Sequence, residues 1–370
     1  MTSSINFTRF NALRGVSDGG NRAFDVRLPR AVPLFVSDKK KRQPGANLIP
    51  GTQLGDCILD HELEKGKRSV CWLARQIGLN RLVSVKVLSS NFFPIGSGFH
   101  DRIECLAKLE HPALAQIYSF GCHNSMYFLV REHLLGLRMS ALMNVITRDE
   151  KGYPTRGSLP HIKNALRKSL GLAPIHSRWV FENDKNSLAC AVRHIAEVAE
   201  GLSYAHCNNV SHGEICADNI IVNEVGFAKL LNFSIDTDFT ICRKKIMRGY
   251  LAPEHAMGGG RSCAGDVFSL GAILCRLLTL HFPYTLEGGG VSRKRFSSRI
   301  RGHLFRIPRG LAQILSKALA WQPGRRYSSA GVFAQELRKF LSNYSRTTFF
   351  SAFECGPQFY RDLLRGFSQR

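Results

Sequence analysis

From about residue 55 to 132 the apolar positions fall into short runs rich in β-branched and aromatic residues. "SVCWLARQ" (Ser69 to Gln76) and "RLVSVKVLSS" (Arg81 to Ser90) flank a turn at Gly78 and Asn80, which predicts a pair of strands. "HDRIECLAKLE" follows with Ile103, Leu106 and Leu109 three apart, a helical period. "LAQIYSFG" and "MYFLVRE" then predict two more strands, so this part reads as a small sheet with one helix. After about 187 the period is mostly helical. "ACAVRHIAEVAEGLSYAH", the run from Val267 to Phe282, "LAQILSKALA" and "GVFAQELRKFL" are four predicted helices.

Three stretches break the pattern. Residues 1 to 54 show no sustained period, carry "KKKR" at 39 to 42, and read as a flexible basic leader. Residues 143 to 187 are polar, contain Gly and Pro with one basic helical piece, "HIKNALRKSLGL", and read as an insertion. From 343 to 370 lies a tail in which Phe359, Leu363 and Phe367 are spaced four apart, the pattern of a short amphipathic helix. No internal repeat is visible.

Composition narrows the class. With 370 residues, 44% of them hydrophobic and 24 Phe among them, the chain can bury a substantial core, in one large domain or two moderate ones with tails. Lys and Arg number 51 against 28 Asp and Glu, a formal charge of +23, so the surface attracts anions or is merely kept soluble by its charge. Eleven cysteines form no CxxC pair and no Cys/His zinc spacing, which points to reduced, mostly buried thiols and no metal cluster. The first residues lack the apolar block of a signal peptide, and their Arg content is faintly similar to a transit peptide. The most apolar run is interrupted by Arg276 and is too short to span a bilayer; it reads as a buried helix. A cytoplasmic protein without a membrane span is expected.

Eight motifs in one order give the chain a family resemblance. They are "VSVK" ending at Lys86, "LEHPALAQIY", "HGEICADN" from His212, "LLNFS" around Asn232, "YLAPEH" at 250 to 255, "GDVFSLG" at 265 to 271, "HFPY" at 281 to 284 and "QPGRRYSSA" at 322 to 330. In this order they resemble a protein kinase, closest to bacterial Ser/Thr kinases, over residues 55 to 342. The resemblance implies an α+β bilobal fold: a β-rich N-lobe at 55 to 133 with one main helix, and a larger, mostly helical C-lobe at 134 to 342.

It also implies site residues. Lys86 reaches the nucleotide phosphates, and Gly66, Cys71, Ser84, Glu132, Ile221 and Asn232 join it in nucleotide contact. Glu214 stands at the proton-acceptor position, one methylene longer than the usual aspartate, and a shift on the order of 1 Å can cost about 100-fold in rate. Asn219 and Asn232 occupy the two magnesium positions, but the second offers an uncharged amide where a carboxylate is usual, which weighs against Mg²⁺; for ATP as ligand, Lys86 and Gly66 speak in favour and Glu64, Asn232 and Arg131 against. Arg102 stands where the glutamate partner of Lys86 is expected. Glu64, Gly66 and Ser69 stand at the three glycine positions of the phosphate loop, and Cys216 replaces a lysine. Losing one such electrostatic stabiliser costs roughly 10²- to 10³-fold. Gly213 removes the arginine that reads a phosphorylated activation segment. Arg131 stands at the gatekeeper position behind the adenine, where it fills that site or snorkels away.

The structural positions are kept. His212, Phe233, Leu106 and Ile117 fit the internal spine anchored by Asp266, and Glu254 with Arg326 matches a buried ion pair. The leading expectation is a pseudokinase acting through a protein partner as scaffold or allosteric element, with residual ATP binding left open. The alternative is a weak or atypical Ser/Thr kinase, and a third is a basic module that binds nucleic acid or an acidic membrane.

Overall fold

The computed structural model describes residues 7–9, 48–66, 69–88, 97–124, 126–145, 184–223, 226–233, 249–279, 281–283, 304 and 307–347. "KKKR", the helical piece of the 143–187 stretch and the amphipathic tail segment lie outside them.

The chain is mixed α+β and divides into two compact units. The first comprises residues 1–110, 116–133 and 235–237, and its framework is one seven-stranded antiparallel sheet. In chain order the strands are β1 (Phe7–Arg9), β2 (Gln53–Leu54), β3 (Cys57–Lys65), β4 (Ser69–Gln76), β5 (Arg81–Leu88), β6 (Ile117–His123) and β7 (Met126–Glu132). In space they run β1-β6-β7-β5-β4-β3-β2. Helix α1 (Ser97–Ala107) belongs to the same unit.

Side-chain alternation divides this sheet. Val70, Trp72, Ala74, Val83, Val85, Val87, Phe128 and Val130 share one buried cluster with Leu54, Cys57 and Leu59. The residues between them, Cys71, Leu73, Ser84, Lys86, Leu129 and Arg131, therefore share the opposite face. The runs predicted for β4 and β7 are the observed strands. β5 ends two residues earlier, and α1 starts and stops three residues earlier than the pattern suggested.

Two strands lie inside the stretch read as a flexible leader. β1 pairs with β6, setting Phe7 opposite Gly121 and Arg9 opposite Ser119, and β2 pairs with β3. β3 itself was not anticipated as a strand, because only Cys57 and Leu59 of its nine residues are buried and no alternation marks the rest.

The second unit, residues 111–115, 134–234 and 238–370, is mostly helical. Its helices are α2 (Met139–Val145), α3 (Asp184–Cys207), α4 (Pro253–Ala256), α5 (Cys263–Thr279), α6 (Arg309–Ala318) and α7 (Ala330–Thr347). A small sheet in the order β10-β9-β8 joins β8 (Gly136–Arg138), β9 (Ile220–Asn223) and β10 (Ala228–Leu230). Gly136 is obligatory in β8: a Cβ there would lie 2.3 Å from the Val222 carbonyl. α5 is buried from Gly265 to Cys275, as expected of the apolar run, and α3 packs against α5 and α7. Ser262 caps α5, its Oγ accepting from the Gly265 N–H at 3.0 Å. α7 continues to Thr347, past the boundary expected at 342. No helix among the described residues is long and apolar enough to cross a membrane.

Candidate functional site

In the sheet unit, register brings four of the implicated residues together. Cys71 lies opposite Lys86, and Ser84 opposite Arg131, all on the face turned away from the apolar cluster. The Arg131 side chain crosses this face: its Nη2 donates to Cys71 Sγ at 3.4 Å, from β7 over β5 to β4. The side chain thus runs across the face that the resemblance assigns to nucleotide. Ser84 Oγ bonds His133 Nδ1 at 3.0 Å, and burial, with the charges of Arg131 and His61, pushes the His133 pKa down. Glu132 joins Gln116 twice, its N–H donating to the Gln116 carbonyl at 2.8 Å and its Oε2 accepting from the Gln116 N–H at 3.3 Å.

The β3–β4 turn is closed by backbone: Gly66 N–H donates to the Ser69 carbonyl at 2.9 Å, with exposed Glu64 opposite Cys71 in the ladder. On α1, Glu104 is bound to Lys108 at 2.7 Å on the outer side of the helix, while Leu106 is buried. Arg102, one turn before Leu106, is half-buried. Ile117 is also half-buried and lies opposite Arg131.

In the helical unit the loop from His212 to Asn219 is fixed from below. Asp266, buried near the start of α5, accepts the backbone N–H of His212 and of Gly213, each at 2.8 Å, and His206 Nε2 at 2.9 Å. Burial alone would raise the Asp266 carboxyl; the His206 hydrogen bond, the neighbouring imidazoles of His212 and His206 and the Gly213 N–H outweigh it and hold it below the usual range. His212 Nδ1 accepts from the Glu214 N–H at 3.1 Å, so its Nε2 carries the proton and donates to the Leu231 carbonyl at 2.9 Å. Its ring lies 4.6 Å from that of Phe233.

The two amides above this loop settle each other's orientation. Asn219 Nδ2 donates to the Glu214 carbonyl at 2.8 Å, which turns its Oδ1 toward Asn232. Asn232 must then present its NH₂, and Nδ2 donates to Asn219 Oδ1 at 3.0 Å. Asn232 has φ +59, in the left-handed region where Asn and Asp are the best-tolerated side chains after glycine. Ile221 lies in β9 between Arg138 and Lys229. Arg138 Nη1 reaches the Asp218 carbonyl at 2.8 Å and ties β8 to the loop. Neither this tie nor those from His133 and His206 was singled out in the sequence. Each joins residues 49 or more apart, and no local pattern marks them.

Arg326 is held by Glu254 at 2.6 and 2.7 Å in a two-pronged pair, and it also donates to the carbonyls of Ala320, Ala264 and Trp321. Gly213 has φ +76, and a Cβ there would meet Arg261 Cδ at 2.4 Å. Gly213→Ala is therefore expected to lower stability by about 1–3 kcal/mol, the cost of a strained left-handed residue. Gly213→Asn should lose less, as read from urea midpoints at unchanged slope. Equal midpoints for Ala and glycine would remove the argument.

Among the described residues no group of three or more His, Cys, Asp or Glu comes together. A family model described as protein kinase domain matches residues 58–339. The chain is 25% identical over 279 residues to the serine/threonine-protein kinase PrkC of Bacillus subtilis, covering 70% of this chain and 36% of that protein. It is 26% identical over 327 residues to the tyrosine-protein kinase MasK of Myxococcus xanthus, covering 81% and 45%. To the serine/threonine-protein kinase PknD of Mycobacterium tuberculosis it is 25% identical over 306 residues, covering 77% and 39%. It thus spans less than half the length of these relatives. The crystal structure of the Mycobacterium tuberculosis PknI kinase domain superposes with a TM-score of 0.55 at 19% identity, over 79% of this chain and 99% of that one, a likeness of fold.

Proposed function

We propose that this chain, which belongs to the protein kinase domain family, works chiefly by binding a protein partner and has lost most of its phosphoryl-transfer capacity. The observation that carries this reading is the amide pair. The family binds ATP with Mg²⁺, and Mg²⁺ is held by carboxylate and phosphate oxygens. Here the two residues at the magnesium positions are both neutral, and the Asn219 oxygen is taken by the Asn232 NH₂. These residues do not fit the ion. The Arg131–Cys71 contact adds to the reading on the nucleotide side. Glu214, Lys86 and Asn219 keep their positions without the charge-neutralising centre that phosphoryl transfer depends on.

A second reading, a weak or atypical Ser/Thr kinase, is favoured by its relatives, PrkC and PknD among them, and by the retention of Lys86 and Asn219. Purified chain incubated with ATP, Mg²⁺ or Mn²⁺ and a generic protein substrate separates the two. Phosphate incorporation no higher than that of Lys86→Ala is expected. Incorporation abolished by Lys86→Ala would establish the kinase reading. Binding of nucleic acid or acidic vesicles through the charge of +23 would show itself by steep loss with salt.

A further inference from the structure

Arg276 is the one charge in the apolar stretch of α5, and the structure gives it a built setting in the helical unit. Its Nη1 donates to the Tyr250 hydroxyl, and its guanidinium carbon stands 4.3 Å above the Phe282 ring and 5.7 Å from the Tyr250 ring. The two rings meet edge to face at 5.0 Å. Tyr250 is buried, donates to Met143 Sδ at 3.6 Å, and burial pushes its pKa up to about 12 against the opposing pull of Arg276. The backbone is fitted to this arrangement, since a Cβ on Gly249 would lie 2.3 Å from the Phe282 ring.

Tyr250 takes one guanidinium N–H, and none of the ion pairs among the described residues includes Arg276. Met143, which accepts from Tyr250, belongs to α2, and α2 packs against Ala217–Asn219 at the end of the loop that starts at His212, so the cation stands beside that loop. Arg276 itself is half-buried, with rings on one side. A planar fork with remaining donors, clamped on aromatic faces, is matched to the two oxygens of a carboxylate or phosphate. The same rings lower the local dielectric and strengthen that pairing.

We propose that Arg276, Tyr250 and Phe282 form a recognition site for an anionic side chain of a bound protein segment, so that the partner docking beside the His212–Asn219 loop is acidic. This rests on the reading that the chain acts through a protein partner, and gives that partner its chemistry. Acidic residues and phosphorylated residues supply the same kind of oxygen group.

The test uses the full chain and fluorescein-labelled decapeptides of one neutral sequence with a central pair of Glu, Gln, phosphoserine or Lys. Anisotropy is followed at fixed ionic strength. The Glu and phosphoserine peptides should bind and the Gln and Lys peptides should not. Arg276→Gln should weaken binding about tenfold or more, while Arg276→Lys, which keeps charge but loses the fork, recovers part of it. Arg325→Gln, an exposed arginine in the same unit, controls for the overall charge and should change binding less than twofold. A preference for phosphoserine over Glu identifies a phosphorylated partner, and the reverse an acidic one. Equal losses for the Arg276 and Arg325 variants, or no binding of either anionic peptide at millimolar concentration, would overturn the proposal. So would selective loss of duplex RNA binding in Arg276→Gln with the peptides unaffected. Melting temperatures keep misfolding apart from loss of recognition, and measured phosphate turnover, which would end the proposed function, leaves this outcome independent.

Discussion

Glu254→Ala is expected to cost about 3–5 kcal/mol of stability, the range found when one partner of a buried pair is removed. The Arg326 side chain is fully buried, whereas 22% of the Glu254 side chain remains accessible. Removing the glutamate therefore strands the more deeply buried charge, with only the carbonyls of Ala320, Ala264 and Trp321 left to receive its donors. A melting temperature lower by roughly 6–20 °C follows from about 2–4 °C per kcal/mol in a domain of this size. The double variant Glu254→Leu/Arg326→Met should be the more stable of the two, because it leaves no charge unpaired. Acid gives an independent check. Burial raises the Glu254 carboxyl, but the Arg326 hydrogen bonds and charge prevail and hold it below the usual carboxylate range. Its contribution is thus complete above the unfolded value near about 4.3 and disappears as pH falls through the lower folded value. Wild type should lose stability in that window, and Glu254→Ala should lose less. A double variant weaker than Glu254→Ala, or identical acid profiles, would mean that the pair is not a principal tie of this unit.

The contrast between strands read and strands missed has a simple origin. β4 and β7 alternate or carry long β-branched and aromatic runs because both faces are covered, and such segments announce themselves. β3 turns most of its residues outward, and β1, β8 and β10 are three residues each, too short to establish a period. The site divides in the same way. Lys86, Glu214, Asn219 and Asn232 stand in motifs whose order is visible along the chain. The contacts of Arg131 with Cys71 and of Ser84 with His133 are not, since they depend on register across strands 60 and 49 residues apart. Register is set by turns and by irregularities such as those in the β3–β4 and β6–β7 ladders, which no hydrophobic pattern encodes. Arg276 shows the same limit: a lone charge in an apolar run was legible, but Tyr250 and Phe282 as its setting were not.

Arg131→Met should convert a chain that ignores nucleotide into one that binds it. In the wild type the guanidinium spans from β7 to Cys71 across the row holding Ser84, on the face to which the family resemblance assigns the adenine ring. A methionine of similar reach but no charge can lie flat against the same face and yield to an aromatic ligand. Differential scanning fluorimetry then reads the change directly, because a ligand that binds only the folded state raises its melting temperature. With wild type, ATP at millimolar concentration should give no shift. With Arg131→Met, ATP at about 100 times its Kd should add about 2.7 kcal/mol of stability, a shift of several degrees. Adenosine should act on this variant too, since the opened surface is the one under the ring. Adding Lys86→Ala to Arg131→Met should reduce the ATP shift and leave the adenosine shift unchanged, because a lysine in that row addresses phosphate and not base. Magnesium should make no difference, as Asn219 and Asn232 bring no negative charge to hold it. An ATP shift already present in wild type and unaltered by Arg131→Met would place the guanidinium elsewhere than over the ligand face. A shift in the variant that requires magnesium would instead give the amide pair a metal-binding capacity that its chemistry argues against.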